Sequence, residues 1–317
     1  MDSSSPAHRE GRLFPVGTGL LASMVLLLVA GIALVLTRGS ILSIKEFGFA
    51  FWRTSTWNPV SGEFGALPFL WGTLYSSLLA LCLSTPVALG IAIFLSELSP
   101  ESLKRPLVFL TELLAAVPSI VYGLWGIFVL VPRVRRLQVI TPEWLRQTPL
   151  FKGPPLGVGM LSAALILAVM ITPFTASVAR EILKAVPFSQ REGAYALGAT
   201  RWEAIRMAVY YGRTGIIGAI MLGLGRALGE TMAVTMVIGN TPQVSLSLFA
   251  PQTTMAAVIA NEFTEAADDL YLHALIEIGL VLFIVTVLIN TLSRLLIWKV
   301  GDKAASGAPA SAALPVG

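Results

Sequence analysis

An arginine and a glutamate interrupt an apolar stretch of the chain, within the sequence GLGRALGETMAV. Arg226 and Glu230 are four residues apart, so a continuous helix would place both side chains on one face. An arginine at the centre of a membrane-spanning helix costs about 2.5–3.5 kcal/mol, whereas an exposed ion pair returns only about 0.3–0.5 kcal/mol. Because local pairing does not offset this cost, we expect the face to line a protein interior or a wet pathway.

The chemistry available to these side chains is the binding of an oxyanion. The Arg226 guanidinium can hold a tetrahedral oxyanion through two parallel hydrogen bonds. Glu230 can orient Arg226 and can accept a hydrogen bond from a protonated phosphate, which sulfate does not offer at neutral pH. Thr231 adds a hydroxyl nearby, so we predict that Arg226, Glu230 and Thr231 line a substrate pathway. The alternative is a buried ion pair that only fixes helix packing or the register of a partner.

The residue types used in most enzyme active sites are scarce in this chain. Cys82 is the one cysteine and lies in an apolar run, and the two histidines are His8 and His273. This composition argues against a disulfide framework and a thiolate metal site. The sequence also lacks a GxxxxGK[ST] phosphate-binding loop. We therefore predict no catalytic residue, no metal and no cofactor, and we expect any ATP to be bound by partner subunits.

A charged segment, residues 187–213, separates two of the apolar runs. Its sequence is PFSQREGAYALGATRWEAIRMAVYYGR, which is too polar to cross a bilayer. Gly198 stands midway, where a residue in the left-handed conformation can end one helix and turn the chain. The pattern predicts two short helices with a bend at the membrane surface. On spacing alone, the pattern favours a generic amphipathic interfacial helix.

The overall composition is that of a membrane protein. The chain is 55% hydrophobic and 13% charged, with a mean hydropathy of +0.78, whereas soluble domains carry about 25% charged residues. Crossing a hydrocarbon core of about 30 Å takes about 20 helical residues. We therefore predict an all-α, polytopic membrane protein with about six transmembrane helices. The predicted spans are 16–37, 68–96, 107–131, 156–180, 212–239 and 274–298.

The distribution of Lys and Arg predicts which side of the membrane each loop occupies. With the N-terminus inside, thirteen of these cations fall on the cytoplasmic side and eight outside, the bias that the positive-inside rule requires. We expect both termini in the cytoplasm. The predicted divisions are a cytoplasmic N-terminal tail (1–15), a transmembrane domain (16–300) and a disordered C-terminal tail (301–317).

The segments predicted to lie outside have features of their own. Residues 132–155 carry five cations, either as an ordinary exception to the positive-inside rule or to attract an anion or an acidic partner. Within 240–270, Thr253 precedes a helical pattern through Phe263, which predicts a short external or re-entrant helix. The aromatic residues within 45–57 predict a belt at the membrane interface.

The stretch EGAYALGATRWEAI resembles the EAA-type signature of bacterial ABC-importer permeases. Glu192, Ala194 and Gly198 match that signature, Gly193 replaces its first alanine, and its later Ile-x-Leu-Pro ending is poorly matched. In that family this segment forms a coupling helix in a groove of the ATPase subunit. The resemblance implies a coupling segment at residues 187–206. The implied contact residues are Glu192, Gly193, Ala194, Tyr195, Ala196, Leu197, Gly198 and Ala199.

A wider resemblance runs from about residue 68 to residue 298. Stretches such as ELLAAVPSIVYGLWGIFVLVP and GNTPQVSLSLFAPQTTMAAVIANEF occur in the same order in the C-type permease of the phosphate-specific ABC importer, which this chain resembles. The resemblance implies the type I permease fold of ABC importers, with Arg226 and Glu230 on the phosphate path. It also implies a homologous second permease, two cytoplasmic ATPase subunits and an external phosphate-binding protein.

The hypothesis from sequence is a non-enzymatic permease subunit of an ATP-driven importer that moves inorganic phosphate across the bacterial cytoplasmic membrane. One alternative is an ABC permease for another oxyanion, such as sulfate, molybdate or phosphonate. A second alternative is a secondary transporter without an ATPase, in which deletion of the coupling segment would matter little. A nucleic-acid partner is not expected, because the net charge of +4 is small and scattered.

Overall fold

The structure is a computed structural model that describes the backbone of residues 7–305 and the side chains of residues 17–300. Over this range it contains helices, turns and two isolated bridges but no β-strand, so the predicted all-α class is confirmed. Two π-helical turns cover Phe94–Leu98 and Gly126–Leu130, and a 3₁₀ turn covers Gly48–Trp52. The α-helices are α1 (Ala7–Gly39), α2 (Ile41–Phe47), α3 (Leu67–Ile93), α4 (Glu101–Ala116), α5 (Ser119–Trp125), α6 (Val131–Ile140), α7 (Glu143–Arg146), α8 (Met160–Ala185), α9 (Phe188–Ala196), α10 (Arg201–Tyr211), α11 (Arg213–Leu228), α12 (Met232–Thr235), α13 (Met255–Glu262) and α14 (Asp269–Ala305).

Four of the described helices are long and apolar enough to cross a membrane by themselves. They lie at Gly17–Gly39, Leu67–Leu98, Met160–Ala185 and Asp269–Val300. Two bent helix pairs bring the number of candidate spans to six, in agreement with the sequence prediction. The predicted third and fifth spans are nevertheless wrong as continuous helices. In the third span the chain bends by 92° between α4 and α5. In the fifth span α11 ends at Leu228 and α12 begins only at Met232, whereas the bend of 67° between α10 and α11 lies at the start of that span.

The bend in the third span lies at Val117 and Pro118. Proline lacks an amide hydrogen and disfavours the helical conformation of the residue before it, and Val117 is extended, with ψ of 131°. The Tyr122 hydroxyl donates a hydrogen bond of 2.7 Å to the Leu114 carbonyl across this break. The same carbonyl accepts the Val117 amide hydrogen at 3.3 Å, so the Tyr122 hydroxyl is a second donor to it where α4 ends.

The centre of the fold is α8, in which 61% of the apolar window is buried. Helix α3 packs along α8, and α11 packs against both of them and against α14. The Thr172 hydroxyl joins α8 to α3 through Ser84 Oγ at 3.1 Å. The first helix differs sharply, because none of its apolar window is buried within this chain. Helices α3, α8 and α11 thus form the core of the fold, and the charged segment 187–213 connects α8 to α11.

The predicted helix within 240–270 is confirmed as α13. Thr254 caps it by accepting a hydrogen bond of 3.2 Å from the Ala257 amide. A second hydroxyl, from Thr73 of α3, accepts a hydrogen bond of 2.9 Å from the Met255 amide. The start of α13 is therefore fixed both by its own cap and by the neighbouring span.

The aromatic belt predicted within 45–57 is wrong for Phe51, and the half-buried Trp57 makes its contacts within the protein. Phe51 is fully buried, and Trp57 packs edge-on against Phe64 and Phe69 with ring centroids 4.9 and 4.8 Å apart. The Trp57 indole nitrogen donates to Glu262 of α13 at 2.8 Å. These rings join the segment before α3 to α13 and to the first turns of α14. They form a tertiary cluster, and a sequence pattern does not distinguish such a cluster from rings that face lipid.

The predicted tails lie partly outside the described residues. Residues 1–6 of the N-terminal tail and 306–317 of the C-terminal tail are in that position. Helix α14 extends to Ala305, which is inside the segment that the sequence analysis predicts to be disordered.

Candidate functional site

The charged segment between α8 and α11 folds as two helices joined by a tight turn, as predicted. Helix α9 ends in a Schellman motif, in which the Ala199 amide donates to the Ala194 carbonyl at 3.0 Å and the Gly198 amide to the Tyr195 carbonyl at 2.9 Å. Gly198 has φ of +81°, the left-handed conformation that this motif requires. The glycine therefore ends α9 and allows α10 to leave in a new direction.

Helix α10 begins with a capping box that the sequence analysis did not use. The Glu203 carboxylate accepts the Thr200 amide hydrogen at 2.7 Å, and Thr200 Oγ1 accepts the Glu203 amide hydrogen at 3.4 Å. The hydrogen bond from the Thr200 amide, and then one of 2.8 Å that Thr200 Oγ1 donates to the same carboxylate, lower the pKa of the Glu203 carboxyl. The sequence signal was present, because Thr-x-x-Glu is the pattern of a capping box.

The two helices form an exposed groove with apolar walls. Among the residues that line it, Leu197 is 91% exposed, Tyr210 is 60% exposed and Met207 is 48% exposed. The groove has a volume of about 830 Å³. Contiguous exposed apolar surface of this kind marks a contact with another protein, a membrane or a ligand. Of the eight predicted contact residues, Gly193, Ala194, Leu197, Gly198 and Ala199 line the groove, whereas Glu192, Tyr195 and Ala196 are exposed outside it.

An ion pair that the sequence analysis did not find attaches this segment to the bundle. Arg191 of α9 binds Glu97, in the π-helical turn that follows α3, with a distance of 2.6 Å between Nη2 and Oε1. The side chains are 14% and 12% exposed. The two residues are 94 positions apart, so no local spacing indicates the contact.

Arg226 lies in the last turn of α11, beside Phe174 of α8. Its guanidinium carbon is 5.6 Å from the centroid of the Phe174 ring, within the range of a cation–π interaction. Arg226 Nε is buried and lacks a hydrogen-bond partner in the part of the chain that the structure describes. A cation is favourable at a helix C-terminus, but the unused donor remains costly. An anion would supply the acceptor that Nε lacks.

Glu230 and Arg226 do not share a helix face, so that prediction is wrong. Helix α11 ends at Leu228, and the Glu230 carboxylate instead accepts a hydrogen bond of 3.1 Å from the Ala233 amide at the start of α12. The ion pairs formed within the described residues include none between Arg226 and Glu230. Thr231 Oγ1 donates to the Gly229 carbonyl at 3.4 Å. The break therefore places the cation at one helix end and the carboxylate at the start of the next, where each charge suits its helix dipole.

Comparison with known proteins identifies the family. The family described as "Binding-protein-dependent transport system inner membrane component" matches residues 86–300, which is more than half of the chain. This chain belongs to that family. It is therefore a multi-pass, inner-membrane component of a transport system, as the sequence analysis predicted.

Close relatives place the chain within this family. The "Phosphate transport system permease protein PstC" of Mesorhizobium japonicum is 47% identical over 91% of this chain and 90% of the relative. The protein of the same name from Haemophilus influenzae is 48% identical over 90% of this chain and 93% of the relative. The chain thus belongs, within the family, to the PstC permeases.

Solved structures share the architecture of this permease. A chain of the MetNI methionine ABC transporter, in an inward-facing conformation, matches with a TM-score of 0.55 and 17% identity, covering 73% of this chain and 94% of that chain. A second crystal form of the same transporter matches with a TM-score of 0.56 and 16% identity, covering 73% and 93%. The predicted permease fold of ABC importers is therefore confirmed.

Proposed function

We propose that this chain is the transmembrane permease subunit of an ATP-driven importer that carries inorganic phosphate across the bacterial cytoplasmic membrane. The observation that carries the proposal is 47% identity to a phosphate permease over 91% of the chain. The family match over residues 86–300 includes the groove of α9 and α10 and the break between α11 and α12. The chain performs no covalent chemistry, and partner subunits bind and hydrolyse ATP.

Phosphate passes the break that follows α11. The Arg226 guanidinium binds phosphate oxygens, which supply the acceptor that its buried Nε lacks. One Glu230 oxygen takes the Ala233 amide hydrogen, and the carboxylate retains capacity to accept a hydrogen bond from protonated phosphate. Thr231, the residue that follows Glu230, offers a hydroxyl as a further hydrogen-bonding group. Binding at this position is weak, because the external binding protein sets the affinity.

The groove between α9 and α10 receives an ATPase subunit in the cytoplasm, where both chain termini also lie. The complete importer contains a second, homologous permease, two ATPase subunits and an external phosphate-binding protein. ATP binding closes the ATPase pair and displaces residues 187–206. This movement turns the spans from an inward-facing to an outward-facing arrangement, and phosphate then enters from the binding protein.

The test is uptake of labelled phosphate by cells that carry the full assembly and lack other phosphate systems. Wild type is compared with Arg226→Ala and with Arg105→Ala, which removes an exposed cation of α4. A hydrogen bond to a charged group contributes about 1.5–3 kcal/mol, so we expect Arg226→Ala to reduce uptake roughly 10- to 100-fold. Arg105→Ala should transport normally, and excess sulfate or molybdate should not compete.

Two results would contradict parts of this proposal. Competition by sulfate or molybdate would show that the oxyanion was misassigned, while leaving the transport mechanism intact. Normal uptake by an assembled Arg226→Ala complex would remove Arg226 from the pathway. In that case, Arg226 would serve only the packing of α11 against Phe174.

A further inference from the structure

Two arginines of the coupling segment converge on one residue of the transmembrane bundle, Glu97. Arg191 of α9 binds the Glu97 carboxylate with both arms, with Nη2 2.6 Å from Oε1 and Nε 3.3 Å from Oε2. Arg201 of α10 donates a hydrogen bond of 2.8 Å to the Glu97 carbonyl oxygen. Both helices of the segment are therefore attached to the same residue.

Arg191 also holds the end of α8. Its Nη1 donates to the Val186 carbonyl and its Nη2 to the Leu183 carbonyl, each at 2.9 Å. These carbonyl groups lie where α8 ends, and a helix end leaves its last carbonyls without intrahelical partners. One guanidinium thus joins α9, the end of α8 and the turn that follows α3. Glu97 itself lies in a π-helical turn, a geometry that is frequent at functional sites.

Burial distinguishes this pair from an ordinary surface ion pair. The side chains of Arg191 and Glu97 are 14% and 12% exposed. For comparison, Lys104 and Glu101 lie 4.0 Å apart with side chains 27% and 75% exposed, and such surface pairs contribute little to stability. Removing one partner of such a largely buried pair leaves an unpaired charge with little access to water. The Arg191–Glu97 joint therefore resists opening when the coupling segment is displaced.

The two spans held at this joint lead to the candidate substrate site. Helices α3 and α8 pack along each other and share the hydrogen bond between Thr172 and Ser84. Phe174, two positions further along α8, lies against Arg226 at 5.6 Å. A displacement that enters α8 at its cytoplasmic end therefore reaches the side chain that contacts Arg226.

We propose that the Arg191–Glu97 pair is the joint that transmits displacement of the coupling segment to α3 and α8, and so couples ATP hydrolysis to transport. This inference rests on the proposed function. Arg191 and Glu97 are positioning residues, because they act through the helices that they join. Their loss should separate hydrolysis from transport, whereas loss of a purely structural pair would reduce both together.

The experiment uses the complete complex in proteoliposomes, with phosphate uptake and ATP hydrolysis measured in the same sample. The variants are Glu97→Gln, Arg191→Gln and Arg191→Lys, with Glu101→Gln as the matched control in the exposed pair. Coupling between sites typically corresponds to about 5- to 150-fold, so we expect Glu97→Gln and Arg191→Gln to lower the phosphate moved per ATP by about tenfold. Hydrolysis should persist. Arg191→Lys keeps the charge without the planar fork and should give an intermediate ratio.

Two outcomes would refute the proposed role of the Arg191–Glu97 pair in coupling. One is an unchanged ratio of phosphate to ATP in assembled Glu97→Gln and Arg191→Gln complexes. The other is a parallel loss of assembly, hydrolysis and transport in every variant, including Arg191→Lys, which would make the pair a folding contact. Failure of the proposed function is separable. A wild-type complex that transports sulfate instead of phosphate would refute the substrate, and the same ratio measured with sulfate would still test the joint.

Discussion

At the scale of single residues, Gly198 and Gly193 occupy the same short segment under different backbone constraints. Gly198 has φ of +81°, whereas Gly193 is inside α9, and a Cβ added at either position meets no atom within 4 Å. The left-handed conformation costs a residue with a side chain roughly 1–2 kcal/mol, and alanine favours a helix interior over glycine by about 1 kcal/mol. The two positions therefore form a matched pair for substitution.

We expect Gly198→Ala to destabilise the end of α9 by roughly 1–2 kcal/mol, because its strain is conformational and not steric. Gly193→Ala should leave α9 unchanged or stabilise it. Amide hydrogen exchange across residues 190–199 of the purified complex measures both effects. Slower exchange in Gly198→Ala than in wild type would contradict this account of the turn.

Protonation of Glu203 provides a second test at this scale. Its folded-state pKa is lowered, chiefly by the hydrogen bond from the Thr200 amide. Its contribution to the stability of α10 is therefore fully present above the pKa of the unfolded state, and it is lost as the pH falls through the folded-state pKa.

We expect amide exchange at the first turn of α10 to accelerate as the pH falls into the acid range, after correction for the intrinsic pH dependence of exchange. Glu203→Gln should abolish this additional pH dependence, because the amide can still accept the hydrogen bond but does not titrate. Thr200→Ser serves as the control that retains both cap and titration. The same acid-dependent opening in Glu203→Gln would assign the effect to another group.

At the scale of elements, the crossing of α3 and the chain before α13 depends on a glycine. A Cβ at Gly72 would overlap the Thr253 carbonyl oxygen, which belongs to the backbone and does not move aside like a flexible side chain. In the same helix, a Cβ at Gly90 would meet nothing within 4 Å. Adjacent Thr73 bonds the first amide of α13, so a displaced crossing would also break this cap.

We expect Gly72→Ala to lower the thermal stability of the purified complex by an amount at or above the usual overpacking cost of about 1–3 kcal/mol. Gly90→Ala, which places the same methyl group in the same helix, should be neutral or slightly stabilising. Thermal unfolding of both variants in one detergent gives the comparison. Equal midpoints for the two variants would mean that α13 does not depend on this close approach.

At the scale of the whole molecule, the exposed apolar surface indicates where partners bind. The apolar window of α1 is unburied within this chain, which suits contact with lipid or another subunit. The groove of α9 and α10 lies in a charged segment. Tyr210, which lines it, is 60% exposed, and Trp202, on α10 outside the lining, is 65% exposed. Trp144, in the Arg-rich segment 132–155, is 71% exposed and provides an aromatic reference elsewhere.

We expect the ATPase subunits to protect Trp202 and Tyr210 from oxidative labelling several-fold when they join the two permeases. Trp144 should be labelled equally with and without the ATPase, because we place it on the opposite side of the membrane. Protection of Trp144 together with unchanged labelling of Trp202 would refute both the partner surface and the proposed orientation.

The sequence by itself determined the features that depend on local chemistry. Apolar length identified the membrane helices, because a bilayer requires about 20 such residues for each crossing. Gly198 marked the turn, because few other residues accept a positive φ. The Thr-x-x-Glu pattern at Thr200 and Glu203 also indicates where α10 begins. The pattern before Phe263 indicated α13 correctly, since a cap and a short apolar run are local signals.

Only the tertiary structure decided the features that depend on contacts distant in sequence. In the structure, α11 ends at Leu228 and the Glu230 carboxylate accepts the Ala233 amide hydrogen, although the spacing of Arg226 and Glu230 fits one helix face. Phe51 is also buried, and Arg191 forms an ion pair with Glu97. The physical reason is that burial and pairing depend on which helices meet. Helical periodicity describes only the contacts within one element, so it does not determine where a span breaks or which distant charge its residues bind.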